Sequence, residues 1–476
     1  MNKLSLLLSV ILLMVVYACD YAPACMPVYL SNSFIYPDYS GVTIPRNIAS
    51  LSFRVGTEKK EVKTIFHTKD YSVTVKGKEV VVPTRKWKKL LRSEEKVQVD
   101  ILVKERAKWE PFYSFLLHIS ADEIDPYITY RLIAPGYEVW NCMGIYQRSL
   151  SSFEESPVYE NNTMSHFCVN CHTANKGNPE EFIFHQRPKP SGTILVKGGT
   201  VQKLNTCYSE KIPALVYPSW HPSGNYIAFS VNKTVQSIHS ADANRIEVWD
   251  AYSDIVIVDI RNNTLITTPS LMSEESFETF PSFSPDGKTL YFCSARSMQL
   301  PDSLLRLKYD LCSIEVDMDN LIFGQRVDTV IKASEDDYSI SFPRLSPDGR
   351  FLLYTWHKYG NFSIWHREAD LKMYDLEKKH PVDIEIVNSS EAESYHSWSS
   401  NGRWIIFSSR RGDGLYTRPY IAHIDTNGIA GKPFLLPQKS SSYYLFQDRS
   451  YNIPEFMTGK IKNCRTRIEK VVEGRD

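Results

Sequence analysis

The sequence has no excess of charge of either sign, because 55 basic residues balance 55 acidic ones. Proteins that hold nucleic acid or an anionic membrane face by charge need a positive field, so neither partner is a leading hypothesis. The chain also contains no apolar run of about 20 residues, the length that a membrane-spanning helix requires. Its nine cysteines are scattered over 476 positions and do not form a dense disulfide framework.

Common catalytic motifs are missing as well. The sequence contains no G-x-S-x-G, no H-E-x-x-H and no phosphate-binding loop, so the usual serine hydrolases, zinc proteases and P-loop enzymes are excluded. Asp286 and Asp348 resemble a carboxylate pair, but both lie in predicted hairpin turns, where Asp stabilises the backbone. We therefore predict no catalytic residue and consider an enzyme less favoured than a protein that carries or binds another molecule.

The composition is that of a large globular protein rich in β-structure. A chain of 476 residues with 42% hydrophobic residues is long enough for two or three domains. Aromatic residues make up 12% of the chain and include 28 Tyr, which favours half-buried strands.

The N-terminal segment is typical of an export signal. Lys3 precedes a short apolar run over residues 4–17, which predicts a signal peptide at 1–18. The run ends in Val-Tyr-Ala-Cys, which resembles a bacterial lipobox, in which the cysteine, here Cys19, becomes the lipidated first residue of the mature chain. We expect an exported protein anchored in the cell envelope through acyl chains on Cys19, with an ordinary cleaved signal as the alternative.

Residues 19–140 are predicted to form a small β-sandwich-like domain. Alternating segments such as SLSFRV (50–55) and KVQVDILVK (96–104) are typical of half-buried strands. One helix interrupts them, and the spacing of Trp87, Leu90 and Leu91 places these side chains on a single face directed at the core.

Residues 195–450 contain an internal repeat. Four segments share one pattern: YPSWHPSGNYIAFS (217–230), FPSFSPDGKTLYFCS (280–294), FPRLSPDGRFLLYTW (342–356) and YHSWSSNGRWIIFSS (395–409). In each, a strand end meets a tight turn with glycine, and an alternating strand follows. Four-stranded units at this period predict a β-propeller of about five blades, within a range of four to six, followed by a tail at 451–476. The hairpins resemble those of TolB-like propellers.

Residues 141–194 are predicted to bind a c-type haem. Cys168-Val169-Asn170-Cys171-His172 is C-x-x-C-H, the attachment signature of that cofactor. We expect one covalent haem c, with Cys168 and Cys171 bonded to the porphyrin and His172 as an axial iron ligand. A zinc site completed by His166 and His185, a thioredoxin-like redox pair and a structural disulfide are the alternatives.

The sixth iron position has several candidates. His185 in FIFHQRP is the leading one, and Met457 in NIPEFMTG is its strongest rival, ahead of Met164 and His166. The choice matters because a His/Met pair raises the reduction potential relative to His/His, whereas an open position permits ligand chemistry such as peroxide reduction.

The haem segment has little periodicity of its own. We expect the flat apolar face of a porphyrin to supply the core that residues 141–194 lack. The predicted wall residues are Phe167, Phe182, Ile183 and Phe184, and Arg187 is a candidate partner for a haem propionate.

The whole arrangement resembles a group of Bacteroidetes-type lipoproteins described as TolB-like or cytochrome c-like propeller proteins. The segments that carry this resemblance are IPRNIASLSFRV, DPYITYRLIAPGYEVWNCMGIYQR, the C-x-x-C-H motif, FHQRPKPSGT and the blade hairpins. It implies the architecture and the haem, and no firm activity. We expect an exported, lipid-anchored monohaem protein that transfers electrons or senses redox state and docks a redox or envelope partner through its propeller. The alternative is a TolB-like envelope scaffold that binds a protein or a glycan.

Overall fold

The computed structural model describes residues 33–92, 95–134, 142–161, 167–187 and 192–474, apart from positions 207, 210–211, 213, 240–241, 243 and 245. The predicted signal peptide, Cys19, Met164 and His166 lie outside the described residues. Among the described residues, no helix has the length and apolar character needed to cross a bilayer.

Eight strands and one helix form the first domain: β1 (Ile35–Tyr36), β2 (Thr43–Pro45), β3 (Phe53–Val55), β4 (Val62–His67), β5 (Ser72–Lys76), β6 (Glu79–Val80), α1 (Thr84–Leu91), β7 (Lys96–Glu105) and β8 (Lys108–Ser120). The strands lie in two sheets, with the orders β1-β3-β6 and β2-β8-β7-β4-β5. Phe53 of one sheet and Phe66 of the other share a core with Trp87 of α1. The expected sandwich-like domain and the inward-facing helix are confirmed.

The other sheets are the blades of a propeller, and blades 1 to 3 contain the first propeller strands in the sequence, to which blade 1 adds one strand from near the C-terminus. Blade 1 combines β9 (Tyr127–Ile133), β10 (Met143–Ser149) and β11 (Glu155–Glu160) with β33 (Ser450–Met457). Blade 2 contains β12 (Cys168–Ala174), β13 (Glu181–Arg187), β14 (Gly192–Lys197) and β15 (Thr200–Leu204). Blade 3 contains β16 (Val216–Trp220), β17 (Tyr226–Ile238), β18 (Ile246–Asp259) and β19 (Thr264–Ile266).

Blades 4 to 6, like blade 3, each contain one of the four repeats recognised in the sequence. Blade 4 contains β20 (Ser276–Phe283), β21 (Thr289–Arg296), β22 (Asp310–Asp317), β23 (Ile322–Phe323) and β24 (Asp328–Ile331). Blade 5 contains β25 (Ser339–Leu345), β26 (Phe351–His357), β27 (Asp370–Asp375) and β28 (His380–Val382). Blade 6 contains β29 (Glu393–Trp398), β30 (Trp404–Ser409), β31 (Arg418–His423) and β32 (Phe434–Leu435). Two helices flank β33, namely α2 (Tyr443–Phe446) and α3 (Arg465–Glu473).

The blades close into a ring of six. Neighbouring inner strands contact one another in the order β12, β16, β20, β25, β29 and β33, and β33 contacts β12 again. The ring is closed within blade 1, because β33 from the end of the chain pairs antiparallel with β9. The protein is therefore mainly β, with a six-bladed propeller at the upper limit of the expected range.

The propeller includes residues before position 195 and after position 450, the two boundaries expected from the sequence. Residues 141–194 hold strands of blades 1 and 2 and are not an irregular segment between two domains. Residues 451–476 contribute most of an inner strand as well as α3, so they are more than a tail. The reason is that blades 1 and 2 lack the hairpin sequence pattern that identifies the other four blades, and blade 1 joins residues 127–160 to a strand at residues 450–457, much later in the chain.

Each inner strand contains one β-bulge at an equivalent position. In all six inner strands the strand register shifts at this point. The residue at the bulge has a positive φ in every case: Cys171, Tyr217, Phe280, Phe342, Tyr395 and Ile453. A bulge bends its strand and redirects the side chains beyond it. Cys171 of the C-x-x-C-H motif thus occupies a structural position that recurs around the whole ring.

Candidate functional site

An aromatic layer divides the central channel. The ring centroids of Tyr217 and Phe280 are 4.5 Å apart, those of Phe280 and Phe342 are 4.2 Å apart, and those of Phe342 and Tyr395 are 4.9 Å apart. All four residues occupy bulge positions, and Cys171 and Ile453 complete the set of six. Inner-strand residues before the bulge and at the bulge contribute to the wall of one cavity. Inner-strand residues after the bulge contribute to the wall of a second cavity.

The first cavity, which we call the thiol mouth, has a volume of about 210 Å³. Strand β12 contributes Cys168, Asn170 and Cys171 to its wall. The long hairpin of β17 and β18 and three arginines supply much of the rest: Thr234, Gln236, Ile246, Val248, Arg131, Arg187 and Arg410. Two thiols and three guanidinium groups therefore meet at one end of the channel.

The second cavity, which we call the turn mouth, has a volume of about 370 Å³. Each blade contributes to it the residue two positions after its bulge: Thr173, Ser219, Ser282, Arg344, Ser397 and Glu455. Burial raises the pKa of Glu455 to about 7, which the charge of Arg344 partly opposes. Burial also lowers the pKa of Arg344. This polar ring becomes visible only once the bulges align the six inner strands.

Cys168 and Cys171 are both buried free thiols that line the thiol mouth. Cys168 is paired in register with Arg187 on β13, so their side chains share a face of the blade. Burial raises the pKa of the Cys171 thiol, while the backbone of Tyr217 and the charge of Arg187 act in the opposite direction. Two thiols facing one cavity are the arrangement that two thioether bonds to a single group require.

His172 points away from that cavity. Its neighbour Thr173 pairs with Ile183, which lies on the same face of β13 as His185, so His172 faces the opposite side of the sheet. Burial lowers the pKa of His172 to about 3, and the charge of Arg131 acts in the same direction, while the backbone of Ile453 opposes both. Neither ring nitrogen has a close, well-aligned hydrogen-bond partner among the described residues. The imidazole is therefore neutral at neutral pH, and its only polar neighbour among the described residues is the backbone of Ile453.

The structure does not bring His185 and His172 together. His185 pairs with Asn170, and its Nδ1 lies 3.1 Å from Thr193 Oγ1. Burial lowers the pKa of His185 to about 4. Because the two imidazoles face opposite sides of one sheet, they do not flank a common iron position, contrary to the expectation from the sequence. That expectation assumed a loop, whereas β12 and β13 are paired strands.

Met457 and the predicted wall residues belong to hydrophobic cores. Met457 packs in the same cluster as Phe167, Phe182 and Phe184, and Ile183 packs in a neighbouring cluster of blades 2 and 3. None of the five lines the thiol mouth. Ordinary side-chain packing thus stabilises this segment, and the expectation that a porphyrin replaces its core is corrected.

Sequence reasoning missed several residues at the thiol mouth. The Sδ atom of Met143 accepts a hydrogen bond from the Val169 N–H at 3.2 Å, next to Cys168. Arg131, Tyr395 and Arg410 line the same cavity from other blades. The alternation in YITYRLI indicates that Arg131 lies on a strand, but nothing in the sequence places that strand beside β12.

The donor set fits a c-type haem in its chemistry. Two free thiols share a cavity, the neutral imidazole of His172 follows the second thiol in the chain, and arginines offer counter-charges for propionates. The fit is incomplete in shape, because His172 faces the space between blades and the cavity is smaller than the ~300–1,000 Å³ of drug-sized ligand sites. The described residues contain no group of three or more His, Cys, Asp or Glu side chains placed to hold a metal ion.

Comparisons with known proteins give remote similarities. No protein-family model matches the sequence, and no curated protein sequence matches it significantly. TolB from Acinetobacter baumannii aligns with 79% of this chain and 85% of its own, at 13% identity and a TM-score of 0.41. A puromycin-hydrolysing peptidase from Mycobacterium tuberculosis aligns over 73% of this chain, at 11% identity and a TM-score of 0.38, and the chain spans 53% of its length. A DUF4784 family protein from Bacteroides caccae aligns over 75% of this chain and 96% of its own, at 9% identity and a TM-score of 0.31.

Proposed function

We propose that the thiol mouth is the attachment site of one haem c and that the protein is an exported, lipid-anchored redox protein. The observation that carries the proposal is the position of the C-x-x-C-H motif: both of its thiols line one cavity at the end of the propeller channel. The propeller would then act as the platform that docks a redox or envelope partner.

The residues have distinct roles in this proposal. Cys168 and Cys171 would hold the porphyrin covalently. His172 would supply a nitrogen for the iron, although its ring faces the space between blades and not the thiol mouth; its pKa of about 3 keeps it unprotonated at neutral pH. Arg131 and Arg187 provide positive charge beside the thiols. A bound haem supplies a reversible one-electron couple, and the buried surroundings limit the access of water to it.

A haem-stained denaturing gel tests the proposal. The protein is produced together with a haem c maturation system, as wild type and as the Cys168→Ser, Cys171→Ser and Cys142→Ser variants. Cys142 is an exposed free thiol outside the cavity and serves as the matched control. We expect staining of the wild type and of Cys142→Ser and loss of staining in the other two variants. An unstained wild type would refute the haem.

The lipid anchor is tested separately. We propose that Cys19 carries the acyl chains, on the basis of the lipobox-like end of the signal segment. Cells labelled with a radioactive fatty acid should give a labelled wild-type protein and an unlabelled Cys19→Ala variant. Equal labelling of both, or of neither, would contradict the anchor and leave the haem proposal untouched.

One observation favours a second function, an envelope scaffold that binds a protein or a glycan. His172 occupies the same repeat position as His396 of blade 6, which follows the bulge residue Tyr395 and whose Nε2 lies 3.0 Å from the Leu353 carbonyl oxygen. A histidine at this position thus serves a structural role elsewhere in the ring. If the gel stays unstained and an envelope partner binds the wild type and the Cys168→Ser/Cys171→Ser chain equally, this function is favoured.

A further inference from the structure

The thiol mouth carries an excess of buried positive charge. Arg131 and Arg410 are 6% and 4% exposed, and Arg187 lies beside them at the cavity wall. Among the described residues, none of the three forms an ion pair with a carboxylate. Buried charges in proteins are normally paired, so an unpaired set of guanidinium groups facing a cavity points to an anionic ligand.

The three arginines differ in how far protein groups already satisfy them. Arg410 is fixed: its Nε donates to the Ile364 carbonyl oxygen at 2.8 Å, and its guanidinium lies 3.6 Å from the ring centroid of Trp365. Arg131 is held less firmly: its Nε has no hydrogen-bond partner among the described residues, and one Nη donates to the Asn452 amide oxygen at 3.1 Å in the favoured amide orientation.

Arg187 also lacks a committed acidic partner. Its side chain lies beside the Cys168 and Cys171 thiols. Asp250 interacts with Arg187 through charge alone. The Asp250 carboxylate already accepts hydrogen bonds from the side chains of Asn232, Thr234 and Asn361. Arg131 and Arg187 therefore keep N–H donors available, and both lie close enough to Cys171 for their charges to act on its thiol.

We propose that Arg131 and Arg187 together bind a pair of carboxylate groups at the thiol mouth. A guanidinium offers two parallel N–H donors to a carboxylate, and the buried position strengthens that contact. The two carboxylates come from one of two sources, the propionates of a haem held by Cys168 and Cys171 or a free dicarboxylate. The haem propionates as the source depend on the proposed function. The inference that unpaired arginines at this cavity bind an anion does not depend on it.

The free-ligand arm uses the Cys168→Ser/Cys171→Ser chain, which cannot attach haem, with the wild type made without a maturation system as a second haem-free form. Thermal unfolding is followed with succinate and with sodium chloride at equal ionic strength. If the source is a free dicarboxylate, succinate raises the midpoint by several degrees, Arg131→Gln and Arg187→Gln each abolish the rise, and Arg326→Gln retains it. Arg326 is the control because its side chain is 86% exposed and pairs with Asp328 on the outer part of blade 4.

The haem arm uses the stained wild-type protein. If the source is the propionates, Arg131→Gln and Arg187→Gln lower the unfolding midpoint of the haem-loaded chain by several degrees more than that of the haem-free chain, and Arg187→Lys recovers part of the loss. A response in either arm supports the site and identifies the source. If both buried-arginine variants behave as Arg326→Gln does in both arms, the site is refuted. If no haem attaches, the proposed function fails, and the succinate arm alone decides this inference.

Discussion

His366 Nε2 lies 3.1 Å from Glu247 Oε1, and this buried pair joins the β17–β18 hairpin of blade 3 to a loop of blade 5. The phenol of Tyr359 donates to the other oxygen of Glu247 at 2.9 Å. Because the hairpin forms one wall of the thiol mouth, the pair fixes the shape of that cavity from across the ring.

The His366–Glu247 pair should make stability depend on pH. Burial would lower the pKa of His366, but the hydrogen bonds to Glu247 and Glu368 outweigh it and raise the pKa to about 9. The unfolded value is about 6.5, so this stabilisation is complete below that pH and is lost as the pH rises through 9. We expect Glu247→Gln to lower the free energy of unfolding by about 3 kcal/mol at pH 6 and by clearly less at pH 10.

Urea unfolding at the two pH values measures this difference. The control is Lys372→Gln, which breaks an exposed ion pair with Glu385 at 2.9 Å. That variant should lose less than about 1 kcal/mol at either pH. An equal loss at pH 6 and pH 10 for Glu247→Gln would mean that His366 carries no charge in the folded protein.

Closure of the ring by β33 should be essential to stability. Tyr451 of β33 is fully buried, and its ring centroid lies 4.8 Å from that of Tyr130 on β9. We expect Tyr451→Ala to cost about 3–5 kcal/mol, because it leaves a cavity where the first and last strands of the propeller meet. Phe446→Ala, at a side chain that is 78% exposed in α2, should change stability by less than about 0.5 kcal/mol. Similar denaturant midpoints for the two variants would contradict the closure.

Removing the half-buried carboxylate of Glu455 should stabilise the protein in mild alkali. Burial raises its pKa from 4.5 to about 7, so its contribution to stability is complete below pH 4.5 and is lost as the pH rises through 7. Glu455→Gln has no charge to bury, and we expect it to be more stable than the wild type by about 1–2 kcal/mol at pH 8.5. The advantage should shrink towards pH 5. Glu58→Gln, at an exposed position, should show no advantage, and a less stable Glu455→Gln at pH 8.5 would refute the burial argument.

The haem-loaded protein should tolerate the loss of His185. Because His185 faces away from His172, we expect His185→Asn to leave the absorption spectra of the oxidised and reduced forms unchanged. The same variant should lose about 1 kcal/mol of stability with the hydrogen bond between His185 and Thr193. A change in the haem spectrum to that of a different axial ligand would show that the two imidazoles meet at the iron after all.

The fold could be predicted from the sequence wherever local turn chemistry repeats. The Gly224, Gly287, Gly349 and Gly402 turns identify blades 3 to 6, because each turn needs a positive φ that glycine adopts readily. The inner strands of blades 1 and 2, β33 and β12, are not followed by the hairpin sequence pattern that these four blades share. Their repeats, Cys-His-Thr-Ala at 171–174 and Ile-Pro-Glu-Phe at 453–456, align with Tyr-Pro-Ser-Trp at 217–220 only once the bulges are known.

The candidate site was predictable in its residues and not in its geometry. The spacing of Cys168 and Cys171 predicts that the two thiols lie close together, and the structure places both at one cavity. The direction of His172 depends on the bulge at Cys171, and the arginines arrive from blades that are distant in sequence. Contacts of that kind depend on the closure of the ring and leave no local pattern in the chain.

The most direct test of the account is the intact mass of the mature protein, produced with a haem c maturation system and measured under denaturing conditions. We expect a wild-type mass larger by one haem, and a Cys168→Ser/Cys171→Ser chain without that addition. A wild-type mass that corresponds to the bare polypeptide, or to one with a Cys168–Cys171 disulfide, would contradict it.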